Sequence, residues 1–125
     1  EIGRNGGLWP DNREDMDWGD RIDLPNANSY RDDDLKRHFQ GLAQLRHSLP
    51  ELASNATEIV HADGRSLAFT RGSDLLVLIN ASEKKWAFGS NEFPESEWTA
   101  VYQTKGSEAV FLLPPVAAAI FSRRR

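Results

Sequence analysis

No cysteine occurs in this chain, so disulfides and thiolate metal sites are excluded, and the compartment is left open, export included. Positive charge is also in short supply. Fifteen Lys and Arg against nineteen Asp and Glu give a formal net charge of −4. No basic stripe exists apart from Arg123-Arg124-Arg125, which reads as a solvated tail. A nucleic-acid partner is therefore not expected. Long apolar runs are missing too, since stretches such as Leu75-Leu76-Val77-Leu78-Ile79 fall far short of a membrane span, and none is expected. The three histidines, His38, His47 and His61, lie on two different elements and show no H-E-x-x-H spacing. There is no G-x-S-x-G elbow, phosphate-binding loop or dinucleotide fingerprint. No cofactor and no metal is expected.

What remains is a chain of 125 residues, 39% hydrophobic and 27% charged, the balance of a globular protein with one modest core. The start, Glu1-Ile2-Gly3-Arg4, has neither an initiator methionine nor signal-peptide features, and reads as the cut edge of something longer. Residues up to about Tyr30 are rich in Gly, Asn, Asp and Pro and lack periodicity. They read as a long loop anchored by Leu8, Trp9, Met16 and Trp18. Loops of that length are usually functional or disordered, and four large apolar anchors favour an ordered, functional one.

Across 32–49 the residues Leu35, Phe39, Leu42, Leu45 and Leu49 recur at helical steps and form one apolar stripe. Asp32, Asp33 and Asp34 favour a helix start, Arg46 and His47 suit its end, and Pro50 forbids continuation. Gly41, mid-helix, predicts close packing against a neighbour. The stripe predicts burial on a partner surface, either the rest of the chain or a second copy. Beyond Pro50 the pattern turns to β, with strands predicted at 57–61, 66–70, 75–80, 84–88, 98–103, 108–112 and 116–122. Asp63-Gly64 signals a type I′ hairpin and Arg71-Gly72 a weaker turn. The 75–79 run is apolar on both alternating faces, as in a strand covered on both sides. Tight turns between several short strands favour an antiparallel β-sandwich of Greek-key type.

Candidate chemistry is sparse. Asp11, Glu14, Asp15, Asp17, Asp20 and Asp23 invite a calcium reading, but an EF-hand beginning at Asp15 puts Gly19 at a ligand position and Asp20 where the turn glycine belongs. Paired carboxylates also serve glycosidases, although acidic residues are common in any solvated loop. His38, one turn after Asp34, fits a surface charge pair. Asn55-Ala56-Thr57 and Asn80-Ala81-Ser82 match the N-glycosylation acceptor pattern, and turn positions at strand edges explain both asparagines. Trp86 and Trp98 fall on predicted strands, where a core or sheet-surface role is expected, whereas Trp9 sits in a Gly-rich loop beside Pro10, where an indole can stack on a sugar.

The loop Glu1-Ile2-Gly3-Arg4-Asn5-Gly6-Gly7-Leu8-Trp9-Pro10-Asp11-Asn12-Arg13-Glu14-Asp15-Met16-Asp17-Trp18 resembles the segment after the eighth barrel strand in the α-amylase family, glycoside hydrolase family 13. The neopullulanase and cyclomaltodextrinase branch is the most similar. The resemblance continues through Leu45-Arg46-His47, Pro50 and Leu52, then Asp63-Gly64-Arg65-Ser66-Leu67-Ala68-Phe69, Leu75-Leu76-Val77-Leu78-Ile79-Asn80 and Leu113-Pro114-Pro115. It implies that residues 1–50 end a (β/α)8 barrel, with the helix at 32–49 as its eighth, and that 51–125 form the C-terminal β-domain. A complete barrel needs about 250 residues, so the chain does not contain one.

Residues 3–31 would then lie on the active-site side of the parent's barrel. In relatives the Asp and Arg of an Asp-Pro-x-x-Arg phrase contact glucosyl units. Arg13 keeps the arginine and Trp9 stands in the aspartate's place, which makes these two the candidate substrate-binding residues. The nucleophile, acid/base and stabilising carboxylates of the family lie on earlier strands and match no residue here. The implied parent is a retaining hydrolase or transglycosylase of α-glucans, with this chain inactive alone. The implied partners are an α-glucan or maltooligosaccharide through the intact enzyme, the missing N-terminal barrel, and a second copy of the chain. An alternative is a stand-alone carbohydrate-binding or protein-interaction β-sandwich using Trp86 or Trp98 as exposed platforms.

Overall fold

The computed structural model describes residues 32–124. The chain divides into two compact units, Glu1–Ser48 and Leu49–Arg125. In the first, the described element is helix α1, Asp33–Ser48. Asp32 is its cap: its side-chain Oδ1 accepts from the Leu35 N–H at 2.9 Å and its carbonyl accepts from the Lys36 N–H at 3.1 Å. Asp33 and Asp34 occupy the first turn and Arg46 and His47 the last, each complementing the helix dipole. The predicted helix is thus one residue too long at each end, because Asp32 caps and Leu49 turns away at φ −120° and ψ 88°. Asp34 pairs with Arg37. Within this single chain and among the described residues, no residue of α1 is buried and Phe39 is 44% exposed, which leaves the stripe open for the second copy that the sequence also offers. Among the described residues nothing lies within 4 Å of a Cβ built at Gly41.

In the second unit, a 3-10 turn at Pro50–Ala53 leads into seven strands. They are β1 Thr57–Ala62, β2 Ser66–Arg71, β3 Leu75–Asn80, β4 Trp86–Ala87, β5 Trp98–Gln103, β6 Leu112–Leu113 and β7 Ala117–Arg123. All pairings are antiparallel. One sheet runs β1-β2-β3-β7-β5 and a second pairs β4 with β6. The chain leaves the large sheet twice, after β3 and after β5, to lay down the two strands of the small one. The result is a mainly β sandwich, as the spacing of strands and turns predicts.

Strand alternation decides what fills it. On the inner face Ala68 stands opposite Leu78 and Leu78 opposite Ala119, while Leu76 stands opposite Phe121. Phe88, Phe111 and Leu113 close over them from the other layer, with Trp98 at the β5 end. Phe111 meets Phe121 edge-on at 4.9 Å and Phe88 at 5.7 Å. Each large apolar side chain buried this way contributes about 1.5–3 kcal/mol. On the opposite face Ile59, Phe69, Val77, Ile120 and Tyr102 align in one row across all five strands. This is why the 75–79 run is apolar throughout. The row is open at its β1 end, where Ile59 is 66% exposed.

The hairpin at Asp63-Gly64 forms, but not as a type I′ turn. That turn needs left-handed backbone at its two central residues, and among the described glycines Gly72 alone has it, at φ 60°. Instead Asp63 Oδ1 accepts from the N–H groups of Arg65 at 2.9 Å and Ser66 at 2.7 Å, while the Asp63 N–H donates to the Ser66 carbonyl at 2.9 Å. The carboxylate does the work assigned to glycine.

The strand predicted at 108–112 shrinks to Leu112–Leu113. The Ser107 hydroxyl reaches the carbonyls of Ala109 and Leu112, the Leu112 N–H donates back to Ala109, and Phe111 takes a left-handed φ of 59° to point into the core. The strand at 84–88 shortens likewise, because the Lys84 carbonyl is taken by Asn80 and Ser82. Val116 is a second left-handed residue, at φ 49°, but 60% exposed. A β-branched residue there costs about 1–2 kcal/mol, whereas glycine costs about 0.5–1 kcal/mol in chain entropy. Val116→Gly is therefore expected to raise stability by about 0.5–1 kcal/mol in urea denaturation, and a loss would contradict the strain.

Candidate functional site

The two residues expected to contact substrate, Trp9 and Arg13, and the acidic cluster between Asp11 and Asp23, lie outside the described residues. Within residues 32–124, three places can be weighed as candidate chemistry.

The first gathers at the β1–β2 hairpin. His61 Nε2 lies 3.3 Å from Asp63 Oδ2 and 3.2 Å from Ser66 Oγ. Ser, His and Asp together suggest a nucleophile, but the geometry rejects it: a triad needs the acid and the hydroxyl on opposite ring nitrogens, and here both share Nε2. The His61 ring also lies against Trp86, centroids 5.3 Å apart and tilted by 30°. The cluster is a clasp that closes the hairpin and covers the indole. The Ser66 hydroxyl first, then the backbone N–H groups of Arg65 and Ser66, hold the Asp63 carboxyl well below the usual carboxylate range, with a smaller contribution from His61.

A carboxylate whose pKa is depressed on folding stabilises the fold above its unfolded pKa, and that contribution is lost as pH falls through the folded value. Asp63→Asn is therefore expected to lower stability by a constant amount at neutral and mildly acidic pH. The difference from the wild type should shrink only below the ordinary carboxylate range. Urea midpoints measured across a pH series check this; a gap that closes near neutrality would contradict it.

The second grouping surrounds Trp98. Trp98 takes the core role favoured for a tryptophan on a strand, at 1% exposed, and not the alternative role of an exposed platform. It packs against Phe93 and Phe111 and is roofed by the Arg123 guanidinium 5.7 Å from its ring centroid. Arg123 in turn donates to Glu97 Oε2 through Nε at 3.1 Å and Nη2 at 2.8 Å. Arg124 donates through Nε to Thr99 Oγ1 at 2.7 Å. Arg123 and Arg124 are exposed, as expected of a solvated run, while β7 carries Arg123 alongside Trp98 of β5. Trp86 is half-buried with one face covered by His61, which leaves it a poor platform as well.

The third is a shallow cleft of about 110 Å³ lined by Lys85, Gly106, Ser107, Glu108, Leu112 and Pro114. Lys85 Nζ bridges to Glu108 Oε2 at 3.1 Å across it. Small-molecule pockets typically run to about 300–1,000 Å³, and this one falls short. Among the described residues no group of three His, Asp or Glu side chains is arranged to hold a metal ion, and no helix is long and apolar enough to cross a membrane. Sequence reasoning missed the clasp at Asp63 and the roof at Arg123. The first had a signal, since Asp followed by Gly and a polar residue is also a side-chain-capped turn. The second had none, because it depends on β5 pairing with β7, which sets Trp98 opposite Arg123.

No family profile and no curated protein sequence matches the chain. The fold has a counterpart. The crystal structure of an α-amylase from H. orenii superposes with a TM-score of 0.51 and 18% identity, covering 70% of this chain and 20% of that one. The likeness is one of fold. This chain spans about a fifth of that enzyme's length, and the match does not reach the neopullulanase branch to which the loop motifs point.

Proposed function

We propose that the chain is the C-terminal part of a glycoside hydrolase acting on α-glucans such as starch or maltooligosaccharides. In this reading residues 1–50 end the catalytic barrel and 51–125 form its β-domain. The observation that carries it is the β-sandwich, which shares its fold with part of an α-amylase and follows a run of amylase-like motifs in the expected order. The neopullulanase-like branch rests on the loop phrase alone. Arg13, with its planar fork, suits sugar hydroxyls, and Trp9 suits stacking. Of the row of Ile59, Phe69, Val77, Ile120 and Tyr102, the β1 end at Ile59 is open for contact with a larger body. The parent's chemistry would be retaining hydrolysis or transglycosylation by carboxylates upstream, leaving this chain inactive alone.

Maltooligosaccharide turnover by the intact parent carrying Arg13→Ala tests the substrate role, with a fall in kcat/KM expected and an unchanged value against it. Calorimetric titration of the isolated chain with maltoheptaose separates this reading from a stand-alone sugar-binding module. The burial of Trp98 and the cover over Trp86 favour the outcome of no binding.

A further inference from the structure

The two N-x-Ser/Thr phrases sit in opposite environments. We propose that Asn55 is an acceptor for an N-linked glycan and that Asn80 is not. This is independent of the α-glucan reading.

Asn55 is exposed, in the extended connection between the 3-10 turn and β1. The residues beside it are pinned and leave its side chain outward. Ser54 is extended at φ −61° and ψ 142°, the Ala56 N–H donates to Ser54 Oγ at 3.1 Å, and the Ala56 carbonyl accepts from the Gly72 N–H at 2.9 Å. Thr57, the hydroxyl residue of the phrase, opens β1, an edge strand with one side free of sheet pairing. Its Oγ1 accepts from Arg71 Nη1 at 2.7 Å, which fixes the connection without covering Asn55.

Asn80 is 1% exposed, and its amide nitrogen is committed. Nδ2 donates to the carbonyls of Lys84 and Pro114, each at 2.8 Å, and Oδ1 accepts from the Ser82 N–H at 3.0 Å. Glycan transfer forms a bond between the amide nitrogen and the anomeric carbon of a sugar. It breaks the bond from that carbon to a lipid pyrophosphate, which leaves with the electron pair, and the nitrogen loses one proton. At Asn80 that proton is one of two already donated, and the sugar would take the space of the core. At Asn55 neither objection holds.

The 125-residue chain is secreted from a eukaryotic cell behind a cleavable signal, and the folded secreted fraction is mapped after glycosidase release that converts each occupied Asn to Asp. One glycan at Asn55 is expected, lost in Asn55→Gln with secretion unchanged and lost in Thr57→Ala. Asn80 is expected to be unmodified in both the parent chain and Asn55→Gln. A glycan on Asn80 in folded protein, or an unmodified Asn55 in the secreted chain, overturns the proposal.

Discussion

Replacing Trp98 with alanine is expected to cost about 3–5 kcal/mol of stability, the range for truncating a fully buried large aromatic. Trp98 sits where β5 closes the core, against Phe93 at 5.8 Å and Phe111 at 6.5 Å, beneath the Arg123 guanidinium. Alanine leaves a cavity and strips the cation of its π face. Phenylalanine tests a subtler point. The indole Nε1 is buried with no hydrogen-bond partner among the described residues, and an unmade bond of that kind costs about 1–3 kcal/mol. Trp98→Phe loses apolar area but removes the orphan N–H, so its net cost should stay at or below about 1.5 kcal/mol. Urea denaturation of both variants gives the comparison, with unchanged m-values required for a two-state reading. If phenylalanine is as costly as alanine, packing area alone governs the site.

The elements legible in the sequence are those whose local signal and tertiary role agree. Helix α1 has a cap, a dipole bias, a stripe and a stop in the right order, and its bounds came within one residue. The strand at Leu75–Asn80 was found with its bounds because a centrally placed strand, apolar on both faces, has no competing reading. Errors fall where a side chain overrides backbone habit. At Asp63 a carboxylate replaces the left-handed glycine, and at Phe111 the chain twists to a positive φ to aim a ring inward, which an alternating reading of 108–112 cannot anticipate. The cap residue Asp32 and the clasp residue Asp63 show one principle, a short carboxylate satisfying nearby N–H groups, and only the first lies where helix rules look for it.

The candidate site was less legible because its chemistry is not periodic. Trp9 and Arg13 stand out only through a family resemblance, since one aromatic and one arginine in a Gly-rich loop carry no spacing that implies a reaction. Tryptophans on strands pose the converse problem. Trp86 and Trp98 look alike in sequence, and their fates depend on distant partners, a histidine from β1 for one and an arginine from β7 for the other. An amphipathic ring acts as a platform or a core element according to what covers its faces, and that is fixed by strand order.

Asn80 is expected to be the polar position least tolerant of change. It ends β3 and holds the crossing to the second layer, donating to Lys84 and Pro114 carbonyls and accepting from Ser82. Asn80→Ala takes the donor from the Pro114 carbonyl and the acceptor from the Ser82 N–H in a part-buried place, while the Lys84 carbonyl keeps Ser82 Oγ, at a cost of about 1–3 kcal/mol. Asn80→Asp has nearly the same shape and discriminates between packing and hydrogen bonding. A carboxylate accepts from Ser82 but cannot donate, and it would face two carbonyl oxygens, so at neutral pH it should be at least as damaging as alanine. Burial and that repulsion raise the pKa of the introduced acid on folding. A raised acid pKa means that the folded state holds its proton more tightly, so the deficit grows as pH rises through the raised value and shrinks on acidification. Urea midpoints of Asn80→Asp and Asn80→Ala at mildly acidic and neutral pH separate the two causes. An Asn80→Asp variant as stable as the parent at neutral pH would show that shape, and not the donated hydrogen bonds, makes Asn80 indispensable. A deficit that does not respond to pH would count against the carboxylate–carbonyl repulsion.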